Sequence, residues 1–317
     1  MCAAAGTKPA RREFLGLVAA AAATVAGCAG CVSDLPGAGQ PGASPPGFSP
    51  PGFRPSGFRR TGSASNRRQL PPAPSWLLAR PALASVVANK KVAAGLARSL
   101  LYELVQPGQQ PLALAGAWPA VVFTSAASLV AAVQSGALPA RTQAVLYDPE
   151  AWSYTPASEQ RDPVAATGRA AAAAHAAGLQ LIAAPGLDLT TVLAPGRAAP
   201  RSELFLELGL AAGFAAHADV LDLQAQSLER DAAGYASFVT AAARQARREH
   251  PRVGLVAGLS TNPPGGAVSS KQLVAAIRAT RPIVDGYWLN IPGPGERCPD
   301  CSRSQPDVGI AALATVI

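Results

Sequence analysis

Beyond residue 75 the chain alternates short apolar or β-branched runs with longer stretches in which apolar residues recur every three or four positions. The short runs are 121–124, 144–147, 179–183, 220–223, 253–257 and 284–289. Most end close to Pro, Gly, Asp or Asn, as strands do. Among the longer stretches, Phe238, Val239 and Ala242 precede His250-Pro251, and Leu273, Val274 and Ile277 follow Ser270 and precede Arg281-Pro282. That spacing places the apolar side chains on one face of a helix, and each proline marks where the helix stops. Strands that alternate with helices predict a parallel sheet covered by those helices.

Two architectures satisfy this pattern. The 242 residues after position 75 are close to the roughly 250 of a TIM-type (β/α)8 barrel. Six strands are legible, so a complete barrel requires two more, expected before residue 121 and within 308–317. An irregular (β/α) barrel would need fewer, and the alternative is an open doubly wound parallel sheet. The barrel is preferred because consecutive strand ends carry polar residues, as barrel catalytic faces do.

Composition separates this region from what precedes it. Hydrophobic residues make up 49% of the chain, ample for a core, but from residue 33 to 75 Pro, Gly, Ser and Arg dominate with almost no aliphatic side chains. Such a tract cannot bury a core and is expected to be a disordered, extended linker. The overall charge of +8 is concentrated there: residues 1–75 hold eight bases and two acids, leaving the remainder at only +2. A nearly neutral domain offers no electrostatic footprint for nucleic acid. The linker contains "PPGFSPPGFRPSGFR", a five-residue repeat bearing Phe48, Phe53 and Phe58, read as a spacer, with a wall- or partner-binding tract as the alternative.

At the start of the chain, Arg11-Arg12 precede Phe14, Leu15 and a weakly apolar run to Gly27. This resembles a twin-arginine (Tat) export signal. The run is too short for the roughly 20 residues of a membrane-spanning helix. It ends in Val25-Ala26-Gly27-Cys28, which resembles a bacterial lipobox, and the resemblance implies lipidation at Cys28. The organisation expected is therefore a signal peptide over 1–27, a lipidated linker over 28–75 and a barrel domain over 76–317. The protein would be exported and held by its lipid at the outer face of the cytoplasmic membrane; cleavage without lipidation, giving a secreted protein, is the alternative.

Function in either architecture collects at the carboxyl ends of the strands. In order these ends present Asp148, Glu150 and Trp152, then Asp188, then Asp222, Gln224 and Gln226, then Ser260, Thr261 and Asn262, and finally Tyr287, Trp288 and Asn290. Carboxylates, amides and aromatics are the usual lining of a carbohydrate site. Asp148 and Glu150 are two apart, so on an extended chain their side chains share a face. Neighbouring carboxylates raise one another's pKa and favour keeping one protonated, as a general acid must be. The structural alternative is a loop cap for Asp148 and an ion pair for Glu150, for example with Arg161.

"HADVLDLQAQSLE" contains Asp219-x-x-Asp222-x-Gln224-x-Gln226. It resembles the D-x-x-D-x-D-x-E strand of chitinase-like family 18 glycoside hydrolases, barrels that cleave N-acetylglucosamine polymers with help from the substrate acetamide. The resemblance covers about eight residues, and "GYWLNIP" is similar to the strand end that supplies a floor tryptophan in those barrels. In the family the last two acids orient the acetamide and donate the proton. Here they are Gln224 and Gln226, and an amide cannot donate a catalytic proton, so that mechanism does not transfer. A hydrolase would need its acid elsewhere, with Glu150 first in line and Asp148 or Asp222 as the second carboxylate. Trp152, Tyr287 and Trp288 would stack on sugars, with Asp188, Gln224, Gln226, Asn262 and Asn290 binding substrate. The competing expectation is a catalytically silent barrel that binds an envelope polysaccharide or protein.

Other chemistries lack their signatures: there is no G-x-S-x-G, phosphate-binding loop, H-E-x-x-H or dinucleotide fingerprint. No cofactor or metal is expected. The three histidines read as structural, His175 within a helix, His217 before a strand and His250 at a helix end. Cys298 and Cys301 make half of a zinc site at most, and outside the cytoplasm a local disulfide is the preferred reading over a redox or metal role.

Overall fold

In a computed structural model the described residues are 74–112, 114–226, 228–263, 265–295 and 303–317. The leader, the linker up to residue 73, Cys28 and the Cys298–Cys301 pair lie outside them. In chain order the elements are β1 Ser75–Ala79, α1 Arg80–Val87, α2 Lys90–Leu96, β2 Leu101–Val105, β3 Ala117–Phe123, α3 Ala126–Gln134, β4 Ala144–Tyr147, α4 Ala157–Arg161, α5 Pro163–Ala176 and β5 Gln180–Ala183. A short 3-10 turn, Leu187–Leu189, leads to α6 Thr190–Leu193, α7 Arg201–Glu207, α8 Leu210–Ala215, β6 Val220–Leu223, α9 Ala232–Glu249, β7 Gly254–Ser260, α10 Ser270–Thr280, β8 Gly286–Asn290 and α11 Pro306–Val316.

The eight strands pair in sequence order, all parallel, and β8 closes onto β1 through Trp76 opposite Tyr287 and Leu77 opposite Trp288. This is a closed TIM-type (β/α)8 barrel, and the open-sheet alternative falls. Both strands missing from the sequence pattern, β1 and β2, precede residue 121. The second had been expected within 308–317, but that segment is α11, packed against α1, α2 and α10. Pro306 sits in its first turn, where a missing N–H costs nothing, and Ala311, Ala312 and Ala314 suit a helix.

Strand alternation sorts side chains into two layers. Leu77, Tyr102, Leu104, Ala120, Val122, Ala144, Leu146, Ile182, Ala184, Val256 and Trp288 fill the barrel interior. Residues one position over, such as Trp76, Tyr147, Leu221, Leu255 and Tyr287, face the helices. On α9 the buried Tyr235, Phe238, Val239, Ala242, Ala243 and Ala246 follow the three-to-four-residue period, each of the larger ones contributing about 1.5–3 kcal/mol by burial. Ser269 begins α10 with a reciprocal capping box to Gln272. Among the described residues no helix is long and apolar enough to cross a membrane.

Candidate functional site

The barrel's mouth is where the strands end, and the loop after β4 supplies most of its chemistry. Continuing the inward face of Leu146, Asp148 enters the top of the lumen and is buried. Gln224, at the end of β6, donates from Nε2 to Asp148 Oδ1 at 2.8 Å and to the Ala184 carbonyl at 2.7 Å. One amide therefore fastens the ends of β4, β5 and β6.

Asp222 lies one inward position below Gln224. It is fully buried, neither carboxyl oxygen has a hydrogen-bond partner, and its pKa is held well above the usual carboxylate range by burial and then by the charge of Asp148. Such burial favours the protonated form. With no exposed surface, Asp222 supports the floor of the site and does not reach the solvent-facing position expected of a substrate carboxylate.

Also at the mouth, Glu150 and Asp188 are neighbours. A methyl group at Gly186 would stand 2.5 Å from Asp188 Oδ1 and 2.8 Å from Glu150 Cγ, so both side chains lie against this glycine. Gly186 donates its N–H to the Pro149 carbonyl, which holds the two loops together. Both residues are half-buried, and Asp188 Oδ1 is itself buried without a hydrogen-bond partner. Burial raises the Asp188 pKa, opposed by backbone N–H groups of Ala151, Asp188 and Leu189 and by the charge of Arg201.

The loop bearing Glu150 is internally braced. Thr155 Oγ1 accepts from the Glu150 N–H and from Trp152 Nε1, and Gln160 Nε2 donates to the carbonyls of Trp152 and Thr155. Trp152 packs edge-on against Tyr154 with ring centroids 5.1 Å apart, and Tyr154 is exposed. These two rings form an aromatic rim beside the carboxyl pair.

Other expected residues divide between the mouth and the scaffold. Gln226 lies over Gly258, where an added methyl would come within 2.8 Å of its amide nitrogen. Asn262 is buried beside Ser260, whose hydroxyl accepts its backbone N–H, and Asn290 is half-buried opposite Ser260 in the β7–β8 register. Trp288 faces the lumen with its indole Nε1 buried and without a partner. Tyr287, expected to stack on a sugar, points the other way. It is fully buried among the helices, packs on Trp76, and donates its hydroxyl to the Ile277 carbonyl. Strand alternation explains the correction, since Tyr287 and Trp288 must face opposite layers.

Two carboxyls that the sequence pattern did not single out brace the mouth. Glu159 is buried and accepts from the backbone N–H groups of Ala126 and Ala127, the Ser125 hydroxyl and the Tyr147 hydroxyl, tying α4 to the start of α3. Glu229 is likewise buried; both its oxygens accept from the Ser260 N–H, and burial pushes its pKa up to about 9. Neither residue ends a strand, so position alone could not mark them.

The histidines are structural. His175 Nε2 lies 2.8 Å from Asp219 Oδ2, His217 packs against Gly168, and His250 Nδ1 donates to the Ala215 carbonyl at 3.1 Å. Among the described residues no cluster of three His, Cys, Asp or Glu side chains is placed to hold a metal ion.

No protein-family model and no curated protein matches the sequence. The barrel is similar in fold to solved glycoside hydrolases at low identity. The catalytic domain of a family GH18 chitinase from the fern Peteris ryukyuensis is 14% identical, covers 77% of this chain and 100% of its own, and superposes with a TM-score of 0.48. A GH128 endo-beta-1,3-glucanase from Amycolatopsis mediterranei, solved in complex with laminaritriose, is 13% identical over 76% of this chain and 99% of its own, with a TM-score of 0.43. Triosephosphate isomerase from Bartonella henselae also matches, at 10% identity over 68% of this chain and 92% of its own, TM-score 0.37. A fold does not carry a function, which must be argued from the site.

Proposed function

We propose that this chain is a glycan-active barrel of glycoside hydrolase type, exported and held at the outer face of the cytoplasmic membrane through Cys28. The observation that carries the reading is the placement of Glu150 and Asp188 together against Gly186, beside the Trp152–Tyr154 rim. Glycosidic cleavage needs one carboxylic acid to protonate the leaving oxygen and one carboxylate to act at the anomeric carbon. In this reading Asp188, whose pKa burial raises, serves as the acid and Glu150 as the nucleophile or base, the reverse of the role the sequence suggests for Glu150. Whether the outcome is retaining or inverting follows from the separation of the two carboxyl groups. Asp148 and Asp222 then form the floor beneath them.

A second reading, a barrel that binds an envelope polysaccharide or protein without turnover, is favoured by Gln224 and Gln226. The Gln224 amide is already engaged by Asp148 and Ala184, and neither amide can transfer a proton. Incubation of the protein with a panel of envelope and storage glycans, followed by reducing-end assay, separates the two. Turnover by the wild type that is lost in Glu150→Gln and Asp188→Asn, with glycan binding retained in both, supports the hydrolase. Measurable binding with no turnover on any glycan supports the binding barrel.

A further inference from the structure

The face opposite the mouth has a different character. It is built by the segments that lead into each strand, where Arg98, Arg141, Arg248, Arg252, Arg278 and Arg281 gather. All but the half-buried Arg281 are exposed. Three carboxylates share this face. Asp219 is engaged by His175 and the Leu181 N–H, and Asp285 by Arg247 and the Leu255 N–H, leaving Glu249 at the end of α9. The mouth, by contrast, holds Asp148, Glu150, Asp188, Asp222 and Glu229. The strand-entry face therefore carries an excess of cations, whereas the carboxyls of the mouth are interspersed with Arg161, Arg201 and Arg230.

Two further features lie on the cationic face. Leu100, just before β2, is among the few large apolar side chains left exposed, at 39%. Between the ends of α10 and α11 is a hollow of about 220 Å³ lined by Pro74, Ile277, Arg278, Arg281, Thr315 and Val316. Pro74, Ile277 and Val316 give it an apolar lining, and its two charged side chains are both guanidiniums, which suit a phosphate oxygen better than a point-charge ammonium does. Pro74 also fixes where the preceding 73 residues join the domain: on this face and not at the mouth.

From this placement we infer that the strand-entry face is a docking surface for an anionic phospholipid bilayer, with the hollow between α10 and α11 receiving a phosphate headgroup. Charge complementarity favours the bilayer, since each Lys or Arg near an anionic surface adds to its attraction. The attachment point agrees, because a tether leaving this face brings it, and not the mouth, toward whatever holds the tether. Docking turns the mouth away from the membrane, toward substrate. The surface is separate from the mouth and stands whether or not the barrel is a hydrolase.

Amide hydrogen exchange of the full chain on phosphatidylglycerol vesicles, compared with phosphatidylcholine vesicles, tests the orientation. Exchange in 97–100, 249–253 and 279–285 is expected to slow about fivefold or more on the anionic surface alone, while 150–156 at the mouth is unchanged. The triple variant Arg98→Gln, Arg278→Gln and Arg281→Gln should lose the slowing. Arg161→Gln, Arg197→Gln and Lys271→Gln, which removes the same charge elsewhere, should keep it. If the triple variant is poorly folded, Arg98→Gln with Arg278→Gln, both exposed positions, serves in its place. Equal exchange on the two lipids, slowing at the mouth, equal loss in both charge variants, or binding of a soluble anionic polymer without vesicle docking would each overturn the inference.

Discussion

Gln224 Nε2 lies 2.8 Å from Asp148 Oδ1, so an amide from β6 holds a carboxylate from β4 across the top of the lumen. The same nitrogen reaches the Ala184 carbonyl after β5. Replacing Gln224 by Leu removes both donations to buried acceptors and should destabilise the fold by about 2 kcal/mol, measured as a lowered denaturant midpoint. Gln224→Glu replaces the donor with a third carboxylate near Asp148 and Asp222. Its stability should fall more steeply with rising pH than that of Gln224→Leu.

Asp222 and Glu229 set a pH dependence of stability. Both have folded-state pKa values raised by burial, to about 9 for Glu229. In the unfolded chain they ionise near the ordinary carboxyl values of about 4. Between those limits the folded state holds the extra protons. The stabilisation is complete below the unfolded values and declines as pH rises toward the folded ones. Chemical denaturation from pH 4 to about 9 should show that decline. Asp222→Asn and Glu229→Gln, which cannot ionise, should each flatten it, with Asp222→Asn losing no stability at pH 7. A decline equally steep in both variants would place its origin elsewhere.

Gly186 offers a way to disturb the carboxyl pair without removing either member. Its backbone φ of −68° is ordinary for any residue, so Gly186→Ala introduces no backbone strain. Its methyl would nevertheless collide with Asp188 Oδ1 and Glu150 Cγ. Hydrolysis of a glycan turned over by the wild type should fall by about 10²-fold, a scale set by general acid catalysis, chiefly in kcat. A wild-type kcat in Gly186→Ala would exclude this pair as the reacting groups.

Glu159 should behave as a structural clamp. Glu159→Ala deprives the first turn of α3, Ser125 and Tyr147 of their shared acceptor. A loss of about 3 kcal/mol is expected, as for other buried networks broken on one side. Thermal melting gives the magnitude.

The strand ends at Asp148, Asp222, Gln224 and Asn290 were legible because a buried strand that stops on polar residues is conspicuous in an apolar chain. β2 was not, since Glu103 interrupts its apolar run. In the barrel that side chain faces outward, away from Tyr102 and Leu104, and accepts the Leu112 N–H. β3 was read from residue 121, yet it begins at Ala117 and runs through Pro119, a residue that ordinarily argues against a strand interior. Segment 308–317 misled in the opposite sense, because an apolar run long enough for a strand serves equally well as a helix face.

By itself, the sequence determined the alternation of strand and helix, hence a parallel sheet covered by helices and the end of it where polar groups collect; closure into a barrel was decided by β8 pairing with β1. The alternation and the polar ends follow from the periods of side-chain direction, which are local properties of the backbone. Only the tertiary structure decided which polar groups share a site. It set Glu150 beside Asp188 against Gly186, sent Asp222 into the floor and Tyr287 into the helix layer, and gathered arginines from separate loops on one face. Closure of a barrel brings together residues far apart in the chain, and no local period records which loops will meet.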